Sequence, residues 1–411
     1  MAAPVEPIHT LTEVLRPYWW IGVVSLLVSL AATPVCRWIA CRAKIVDRPD
    51  DLLKPHGRPV AYLGGVGICL GLLAGLAGYL CVMPQVPLHW SNVKMALARL
   101  SIAELFGNPL WNVLGIAAAS LTIMIVGLLD DLRNLSPRRK LLGQVLAAAI
   151  LLAGGIGNRM AMVFLGTLSL NVPDPAVQAA SVALCMLIVI ATCNAMNLID
   201  GLDGLCGGVT WIIALGFLAL AAHLATYGGG GQIDPVRIAL CLAMAGAVLG
   251  FLPYNVPPAS IFMGDAGSML LGFFVATMMA LFCQEGSVRW FLAACAVFAL
   301  PILDTALAVV RRLLSGKGVF EGDRSHLYDQ LVDRGLSVRK VVFVFYALAL
   351  VAAAVGVGLA MVRIRFALPI YAALLAIIWV AFYKAGMVRP DPRRSARNKQ
   401  EGGSGSGHPG D

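Results

Sequence analysis

The sequence predicts an all-α, polytopic membrane protein with about eleven transmembrane helices. Of its 411 residues, 59% are hydrophobic and only 13% are charged, and the mean hydropathy is +0.82. Soluble domains carry roughly a quarter charged residues, so this composition excludes that class. Apolar runs of about 20 residues, the length that spans a bilayer as a helix, recur along most of the chain.

Eleven apolar runs are the predicted spans. In chain order they are 19–40, 61–83, 110–129, 141–157, 179–196, 205–224, 237–252, 266–284, 288–310, 341–362 and 366–384. They form one transmembrane domain, 19–385, between a short outer segment, 1–18, and a tail, 386–411, that is basic and then Gly/Ser-rich, as in disordered ends. The first residues carry acids instead of the basic start of a signal peptide, which indicates a permanent anchor.

Loop charges predict the orientation. When loops are assigned alternately to the two sides, 23 of the 31 Lys and Arg residues fall on one side. The positive-inside rule makes that side cytoplasmic, with the N-terminus outside and the C-terminus inside. Four polar stretches then share the cytoplasmic side: Asp130-Asp131, Asn194–Leu205, Phe262–Ser268 and Arg324–Asp329. Polar groups at a membrane boundary are costly without partners or a function, so this grouping predicts a site.

The first stretch is a pair of carboxylates at a helix end. Asp130 and Asp131 suit Mg²⁺ ligation or proton abstraction. A solvated cap is the alternative, although the macrodipole disfavours acids at a helix C-terminus.

The second stretch joins amides, acids and glycines. Asn194 and Asn197, at i and i+3, line one helical face, and Asp200 and Asp203 follow in a glycine-containing turn. The alternative is an ordinary polar loop.

The third and fourth stretches add an acid and basic groups. Pro257-Pro258 excludes regular helix and predicts a shaped loop before Asp265, which either holds a cation or caps the next helix. Arg324 and His326 are candidates for phosphate contacts, whereas most other basic residues nearby fit positive-inside charges. Asp304 is an intramembrane acid and therefore a functional candidate.

Several function classes are excluded. The ten cysteines are scattered singly and indicate small buried hydrophobes, and no His or Cys grouping has zinc spacing. The sequence has no Walker A motif and no GxGxxG after a strand, which argues against ATP and dinucleotides. Acids for a hard cation, Arg and His for phosphate, and a membrane frame together predict phosphate chemistry on a lipid.

With these residues in place, the chain resembles the polyprenyl-phosphate N-acetylhexosamine-1-phosphate transferases, which include the phospho-N-acetylmuramoyl-pentapeptide translocases. The resemblance covers about residues 20–385. Its motifs, in order, are Gly64-Gly65, Gly127–Asp131, Asn194–Leu205, Asn255 through Ser268, Pro301–Thr305 and Asp323–His326.

The resemblance implies the reaction and its setting. A sugar 1-phosphate, GlcNAc-1-phosphate first, passes from a UDP-sugar to undecaprenyl phosphate, which releases UMP and starts a lipid-linked cell-envelope glycan. The cofactor is Mg²⁺, or Mn²⁺ in its place. The enzyme lies in the bacterial inner membrane with its site on the cytoplasmic face, often as a homodimer, and nucleic acid is not a partner.

Residue roles are carried over on the same basis. The resemblance implies Asp265 as the main Mg²⁺ ligand with Asp130 beside it, and Asp130 or Asp131 as the group that deprotonates or orients the lipid phosphate. The implied substrate-binding residues are Asn194, Asn197, Asp200, Asp203, Asn255, Phe262, Arg324 and His326, with Phe262 stacking on uracil.

One departure leaves the sugar open. Where many relatives carry a histidine-rich triplet, this chain reads His326-Leu-Tyr-Asp329. FucNAc and QuiNAc donors are therefore alternatives to GlcNAc, and MurNAc-pentapeptide is a further one against which the incomplete triplet argues. Two further classes are a secondary transporter and a catalytically dead scaffold, but transporter sites lie near the midplane between repeats, and the chain shows no internal duplication.

Overall fold

The computed structural model describes residues 9–47, 59–82, 106–168, 172–227, 234–314, 316 and 326–388. These residues form fifteen helices and one small sheet. The helices are α1 (Leu11–Leu15), α2 (Trp19–Arg42), α3 (Gly64–Val82), α4 (Pro109–Arg133), α5 (Pro137–Ala153), α6 (Met160–Thr167), α7 (Asp174–Ile199), α8 (Leu205–Tyr227), α9 (Pro235–Asn255), α10 (Gly264–Cys283), α11 (Val288–Val297), α12 (Ala299–Leu314), α13 (Leu327–Asp333), α14 (Val338–Ala360) and α15 (Ile364–Lys384). The prediction of an all-α, polytopic membrane protein is confirmed.

The predicted spans correspond to these helices. Within the described residues, nine helices are long and apolar enough to cross a bilayer, or up to ten if α11 and α12 together make one span. The fourth predicted run lies on α5, which has 17 residues. The ninth lies on α11 and α12, which meet at a bend of 75°. The number of crossings and the orientation of the termini stay predictions, and the tail beyond residue 388 lies outside the described residues.

Local sequence explains the break between α11 and α12. Pro301 lies in the first turn of α12, where a missing N–H removes no intrahelical hydrogen bond. α12 then buries one side, which includes Leu303, Leu307 and Asp304, while Leu313 and Leu314 are exposed. The bend therefore places a buried acid on the helix that leads into the last predicted polar stretch.

Helix α10 is the centre of the bundle. All residues of its most apolar 18-residue segment are buried, whereas only 6% of the corresponding segment of α15 is buried. α10 packs against α3, α4, α7 and α11, and α9 packs against α2, α3 and α8. Because neighbouring helices enclose α10 on all sides, a polar residue in its first turn faces protein and not lipid.

A three-stranded sheet holds the chain at the start of α10. β1 (Val46–Asp47) pairs antiparallel with β2 (Val60–Tyr62), and β2 pairs parallel with β3 (Ile261–Phe262), with Tyr62 opposite Phe262. Gly264 follows β3 with φ +66°, a left-handed conformation that glycine adopts without strain. This conformation turns the chain from the strand directly into α10.

A glycine allows α4 to approach the beginning of α10. A Cβ on Gly127 would lie 2.4 Å from the Asp265 carbonyl oxygen and 2.6 Å from the Ala266 Cα. Both neighbours are backbone atoms, so a larger side chain would have to push the two helices apart.

We therefore expect Gly127→Ala to destabilise the protein by about 1–3 kcal/mol through overpacking. Thermal unfolding of the purified protein in detergent measures the effect. Gly166→Ala is the matched control, because in the described part of the chain no atom beyond its neighbours and its own helix backbone lies within 4 Å of a Cβ at that position. Equal melting temperatures for the two variants would contradict the close packing of α4 on α10.

Candidate active site

Asp131 caps α10 from a neighbouring helix. Its Oδ1 accepts a hydrogen bond from the Asp265 backbone N–H at 2.8 Å, and its Oδ2 accepts one from the Ala266 N–H at 3.1 Å. The first N–H groups of a helix have no intrahelical partner, and the macrodipole favours an anion there. The cap of α10 is therefore Asp131, and the side chain of Asp265 in the first turn is left available for other contacts.

Three side-chain oxygens surround the ammonium of Lys140. Its Nζ lies 2.9 Å from Asp130 Oδ2 and 2.5 Å from Asp265 Oδ2, and it donates to Asn197 Oδ1 at 3.4 Å. Lys140 lies in the first turn of α5, while its partners belong to α4, α10 and α7. Four helices therefore meet at one cation.

Asp130 also shapes the connection between α4 and α5. Its Oδ1 accepts from the Leu135 N–H at 2.7 Å, immediately after the left-handed residue Asn134 that ends α4. The same carboxylate thus fixes the turn with one oxygen and contacts Lys140 with the other. Since α5 begins at Pro137, this turn determines where the ammonium lies.

The two asparagines of α7 face the same direction, as their i, i+3 spacing predicts. Asn197 Nδ2 donates to Asp265 Oδ1 at 2.6 Å and to Ser268 Oγ at 3.1 Å. Asn194, one turn deeper, donates to Gln144 Oε1 at 3.1 Å. Asn197 therefore belongs to the charged cluster formed with Asp130, Lys140 and Asp265. Asn194 contacts α5 one helical turn away from this cluster.

The turn after α7 carries two acids in different surroundings. Asp203 Oδ2 accepts from the Ala259 N–H at 2.8 Å. Asp200 makes no hydrogen bond to another described residue. Burial raises the pKa of the Asp200 carboxyl well above its usual value, and the charges of Asp265, Asp131 and Asp203 raise it further. Asp200 thus lies beside the cluster with its hydrogen-bonding capacity unused within the described chain.

Asn255 and Phe262 form the wall next to this turn. The Asn255 amide accepts from the Gly204 N–H at 3.0 Å and donates to the Ile261 carbonyl at 3.0 Å, so it joins the turn to β3. The Phe262 ring meets the Tyr62 ring edge to face, with centroids 5.8 Å apart. Contact of Asn255 and Phe262 with substrate stays a prediction.

His326 is held by the buried acid of α12. Its Nδ1 lies 2.9 Å from Asp304 Oδ2, and the Leu327 N–H donates to Asp304 Oδ1 at 2.7 Å. The imidazole stacks on Tyr328 at 5.7 Å, and the Tyr328 hydroxyl donates to the Leu198 carbonyl at 3.4 Å. The predicted site residue Arg324 lies outside the described residues.

The sequence prediction missed Lys140 and Tyr62. Lys140 is one of the basic residues that predict the cytoplasmic side, but Lys140 and Gln144 also form an i, i+4 polar pair at the point where the helix becomes apolar, a signal that could have identified it. Burial, and then the charges of nearby acids that include Asp131, Asp200 and Asp265, raises the pKa of Tyr62. Its position comes from strand pairing, which local sequence does not reveal.

The oxygens around Lys140 fit a hard divalent cation. In the described part of the chain, no group of three or more His, Cys, Asp or Glu residues is placed to hold a metal. Two carboxylates and an amide oxygen nevertheless converge on one ammonium, which stands in for a cation. Mg²⁺ is commonly bound by one or two carboxylates together with substrate phosphates, so the donor set suits it.

All of these groups lie at one end of the bundle. Asp130 and Asp131 occupy the last turn of α4, Lys140 and Asp265 the first turns of α5 and α10, and Asp200 follows α7. A transporter site would be expected near the middle of the helices. The arrangement instead suits a reaction on a substrate that approaches from one side.

Comparison with known proteins identifies the family. The model of glycosyl transferase family 4 matches residues 113–283. A decaprenyl-phosphate N-acetylglucosaminephosphotransferase of Mycobacterium tuberculosis is 32% identical over 344 residues, 81% of this chain and 80% of the relative. A probable undecaprenyl-phosphate N-acetylglucosaminyl 1-phosphate transferase of Bacillus subtilis is 31% identical over 79% of this chain and 80% of the relative. A phospho-N-acetylmuramoyl-pentapeptide-transferase of Moorella thermoacetica is 30% identical over 82% of this chain and 95% of the relative.

The matched region runs from α4 to α10 and contains Asp130, Asp131, Lys140, Asn197 and Asp265, which meet in the charged cluster. Because the relatives are also similar along about four fifths of the chain, the predicted resemblance is confirmed. The chain belongs to glycosyl transferase family 4, among the polyprenyl-phosphate N-acetylhexosamine-1-phosphate transferases.

Proposed function

We propose that this protein transfers an N-acetylhexosamine 1-phosphate, GlcNAc-1-phosphate first, from a UDP-sugar to undecaprenyl phosphate. The observation that carries the proposal is the convergence of Asp130, Asp265 and Asn197 on the ammonium of Lys140 at the end of a membrane bundle. The names of the relatives, which act on decaprenyl or undecaprenyl phosphate and N-acetylglucosamine, support it. The product would start a lipid-linked cell-envelope glycan.

The proposed reaction exchanges one phosphoanhydride bond for another. A phosphate oxygen of the lipid attacks the sugar-bearing phosphorus, the bond from that phosphorus to the UMP oxygen breaks, and UMP leaves with its electron pair. The lipid phosphate is already largely ionised at neutral pH, so orientation matters more than removal of its proton. The chain's main tasks are therefore to position two phosphates and to offset their charge.

We assign Asp130, Asp265 and the Asn197 oxygen to Mg²⁺, with Mn²⁺ as a substitute. When bound, the ion supplies charge neutralisation of the diphosphate and of the leaving UMP. Asp131 keeps Asp265 in place through its two hydrogen bonds to the α10 backbone. Asp131 is thus a positioning group for the cation site, and Asp130 is the acid of the pair that faces the cation.

Lys140 has a second task in this proposal. Its ammonium balances Asp130 and Asp265 in the structure. If a divalent cation were held by those carboxylates, the ammonium would donate to phosphate oxygens, a charge-assisted hydrogen bond stronger than a neutral one.

We place the nucleotide beside the turn that follows α7. Asp200 makes no hydrogen bond there to another described residue, and the rings of Tyr62 and Phe262 lie next to the acids. An aromatic ring beside polar acceptors suits a nucleobase, because a flat base can stack while its edge is hydrogen-bonded. This position agrees with the expectation that Phe262 contacts uracil.

The basic loops support the proposed setting. Arg133, Arg138 and Arg139 are exposed and lie close to Lys140 in sequence, at the end of the bundle that we infer to be the cytoplasmic face of the bacterial inner membrane. Positive charge at this face also favours approach of an anionic nucleotide sugar and an anionic lipid headgroup.

Release of UMP is the direct test of the proposed reaction. We expect purified protein to release UMP when it is given undecaprenyl phosphate, Mg²⁺ and UDP-GlcNAc, because the two substrates and the ion would bind together at the charged cluster. A panel with UDP-FucNAc, UDP-QuiNAc and UDP-MurNAc-pentapeptide tests the sugar. EDTA should abolish turnover and excess Mg²⁺ should restore it. Folded protein that releases no UMP from any donor would overturn the proposed function.

The second prediction concerns the carboxylate of Asp265. Asp265→Asn keeps the size of the side chain but removes its charge, so we expect turnover to fall by about a hundredfold or more. Asp174→Asn is the control, because Asp174 is an exposed acid at the opposite end of α7. Unchanged UMP release from the Asp265 variant would remove this residue from the site.

The third prediction concerns Lys140. Lys140→Met removes the ammonium that competes for Asp130 and Asp265, so we expect Mn²⁺ to bind the nucleotide-free protein more tightly, as measured by electron paramagnetic resonance. Turnover should fall, since the ammonium that donates hydrogen bonds to the substrate phosphates is lost. Arg139→Met serves as the control because Arg139 is exposed and next in sequence. Weaker Mn²⁺ binding in the Lys140 variant would contradict the assignment of these carboxylates to the cation.

A further inference from the structure

Asp304 is a buried acid that the proposed reaction does not use. It lies in α12, just after the 75° bend, and is 1% exposed. Both of its oxygens are engaged: Oδ2 by His326 Nδ1 at 2.9 Å, and Oδ1 by the Leu327 N–H at 2.7 Å. An ionised carboxylate only accepts hydrogen bonds, and here two donors from one short segment meet the same group.

This contact determines which nitrogen of His326 carries the proton. When Asp304 accepts from Nδ1, the proton of a neutral imidazole lies on Nδ1 and Nε2 keeps its lone pair. No hydrogen bond joins His326 Nε2 to a residue within the described ranges, and the Asp329 N–H, which faces the His326 side chain in a capping box at the start of α13, makes no side-chain cap hydrogen bond. Asp304 therefore fixes the Nδ1 side of the ring, and Nε2 remains for a ligand.

The plane of the ring is fixed as well. His326 stacks on Tyr328 with 10° between the ring planes. The Tyr328 hydroxyl reaches the end of α7, and a Cβ on Gly201 would lie 2.1 Å from that oxygen. A glycine at this position thus lets the Tyr328 ring lie against the turn that carries Asp200 and Asp203.

We propose that Asp304 is a positioning residue that holds His326 as the Nδ1–H form and presents Nε2 to the nucleotide sugar. This inference rests on the proposed function and deepens it, because it assigns an orienting group to a predicted substrate-binding residue. An acid that orients a histidine through one ring nitrogen, and so sets what the other nitrogen can do, is a recurrent arrangement in enzyme sites.

A purely structural role is the competing explanation. Asp304 also accepts from the Leu327 N–H at the beginning of α13, so it could simply anchor the chain there. Asp304→Asn separates the two roles. The asparagine oxygen can still accept from Leu327, but its NH₂ group would face His326 Nδ1 and favour the opposite tautomer, with the proton on Nε2.

The first test is a spectrum and needs no turnover. Full-length protein with ¹⁵N-labelled histidine is measured in detergent micelles, and the His326 signals are identified as those missing from His326→Gln. We expect Nδ1 to be protonated in the unaltered protein and the tautomer to reverse in Asp304→Asn. An unprotonated Nδ1 in the unaltered protein would overturn the proposal, whether or not the variant folds.

The second test is a double-mutant cycle on UMP release. We expect Asp304→Asn to lower kcat by about 10- to 100-fold, the usual effect of removing a group that orients a histidine. In a His326→Ala background the same change should have less than about a twofold effect, because the ring to be oriented is absent. Thr305→Val is the control, since the neighbouring hydroxyl is buried and makes no hydrogen bond to a described residue.

The outcomes separate this inference from the proposed function. Equal losses from Asp304→Asn with and without His326 would show that Asp304 acts only on folding, and would sink the inference while leaving the reaction intact. If the unaltered protein turns over no donor, the proposed function fails, and the spectrum alone still decides whether Asp304 fixes the tautomer.

Discussion

The structure depends on one electrostatic constraint, which is that charges brought to the end of an apolar bundle must be balanced. Asp130 and Asp265 lie on different helices and share the ammonium of Lys140. Removing one partner of such a group leaves an uncompensated charge in partly buried surroundings, which is far more costly than losing an exposed ion pair. The positions of α4, α5, α7 and α10 therefore depend on one another through this cation.

Packing and hydrogen bonding bring these charges together. Gly127 lets α4 lie against the backbone of α10, and Asp131 then accepts the N–H groups at the beginning of α10. The small sheet delivers the chain to the same point from outside the bundle. Because α10 is enclosed by other helices, Asp265 is held by protein on every side except the one that a substrate would approach.

The proposed site has two parts, and different helices hold each part in place. The cation cluster belongs to helices that run through the bundle, whereas His326 is attached through Asp304 to the bent helix α12. The turn with Asp200 and Asp203 lies between these two parts. The charge of Asp265 acts on Asp200, and the Tyr328 hydroxyl donates to the Leu198 carbonyl just before the turn. A nucleotide sugar bound at this turn would meet the metal-binding acids and the histidine together.

Sequence patterns alone predict the class of protein, its long membrane helices and the acids of the candidate site. Apolar runs identify membrane helices because a bilayer core admits little else, and acids at the ends of such runs are conspicuous for the same reason. The i, i+3 spacing of Asn194 and Asn197 also predicted correctly that they face one way. These signals are local and can be seen within a few turns of chain.

Which of these groups touch one another becomes visible only when the helices are packed together. Lys140 looked like one of several loop charges, and its role appeared only when α5 was packed beside α4, α7 and α10. The cap on α10 comes from Asp131, 134 positions away in sequence, and Asn255 satisfies backbone groups of the turn and of β3. Such contacts depend on helix crossings and strand pairing between distant segments, which the spacing of residues along a single helix cannot specify.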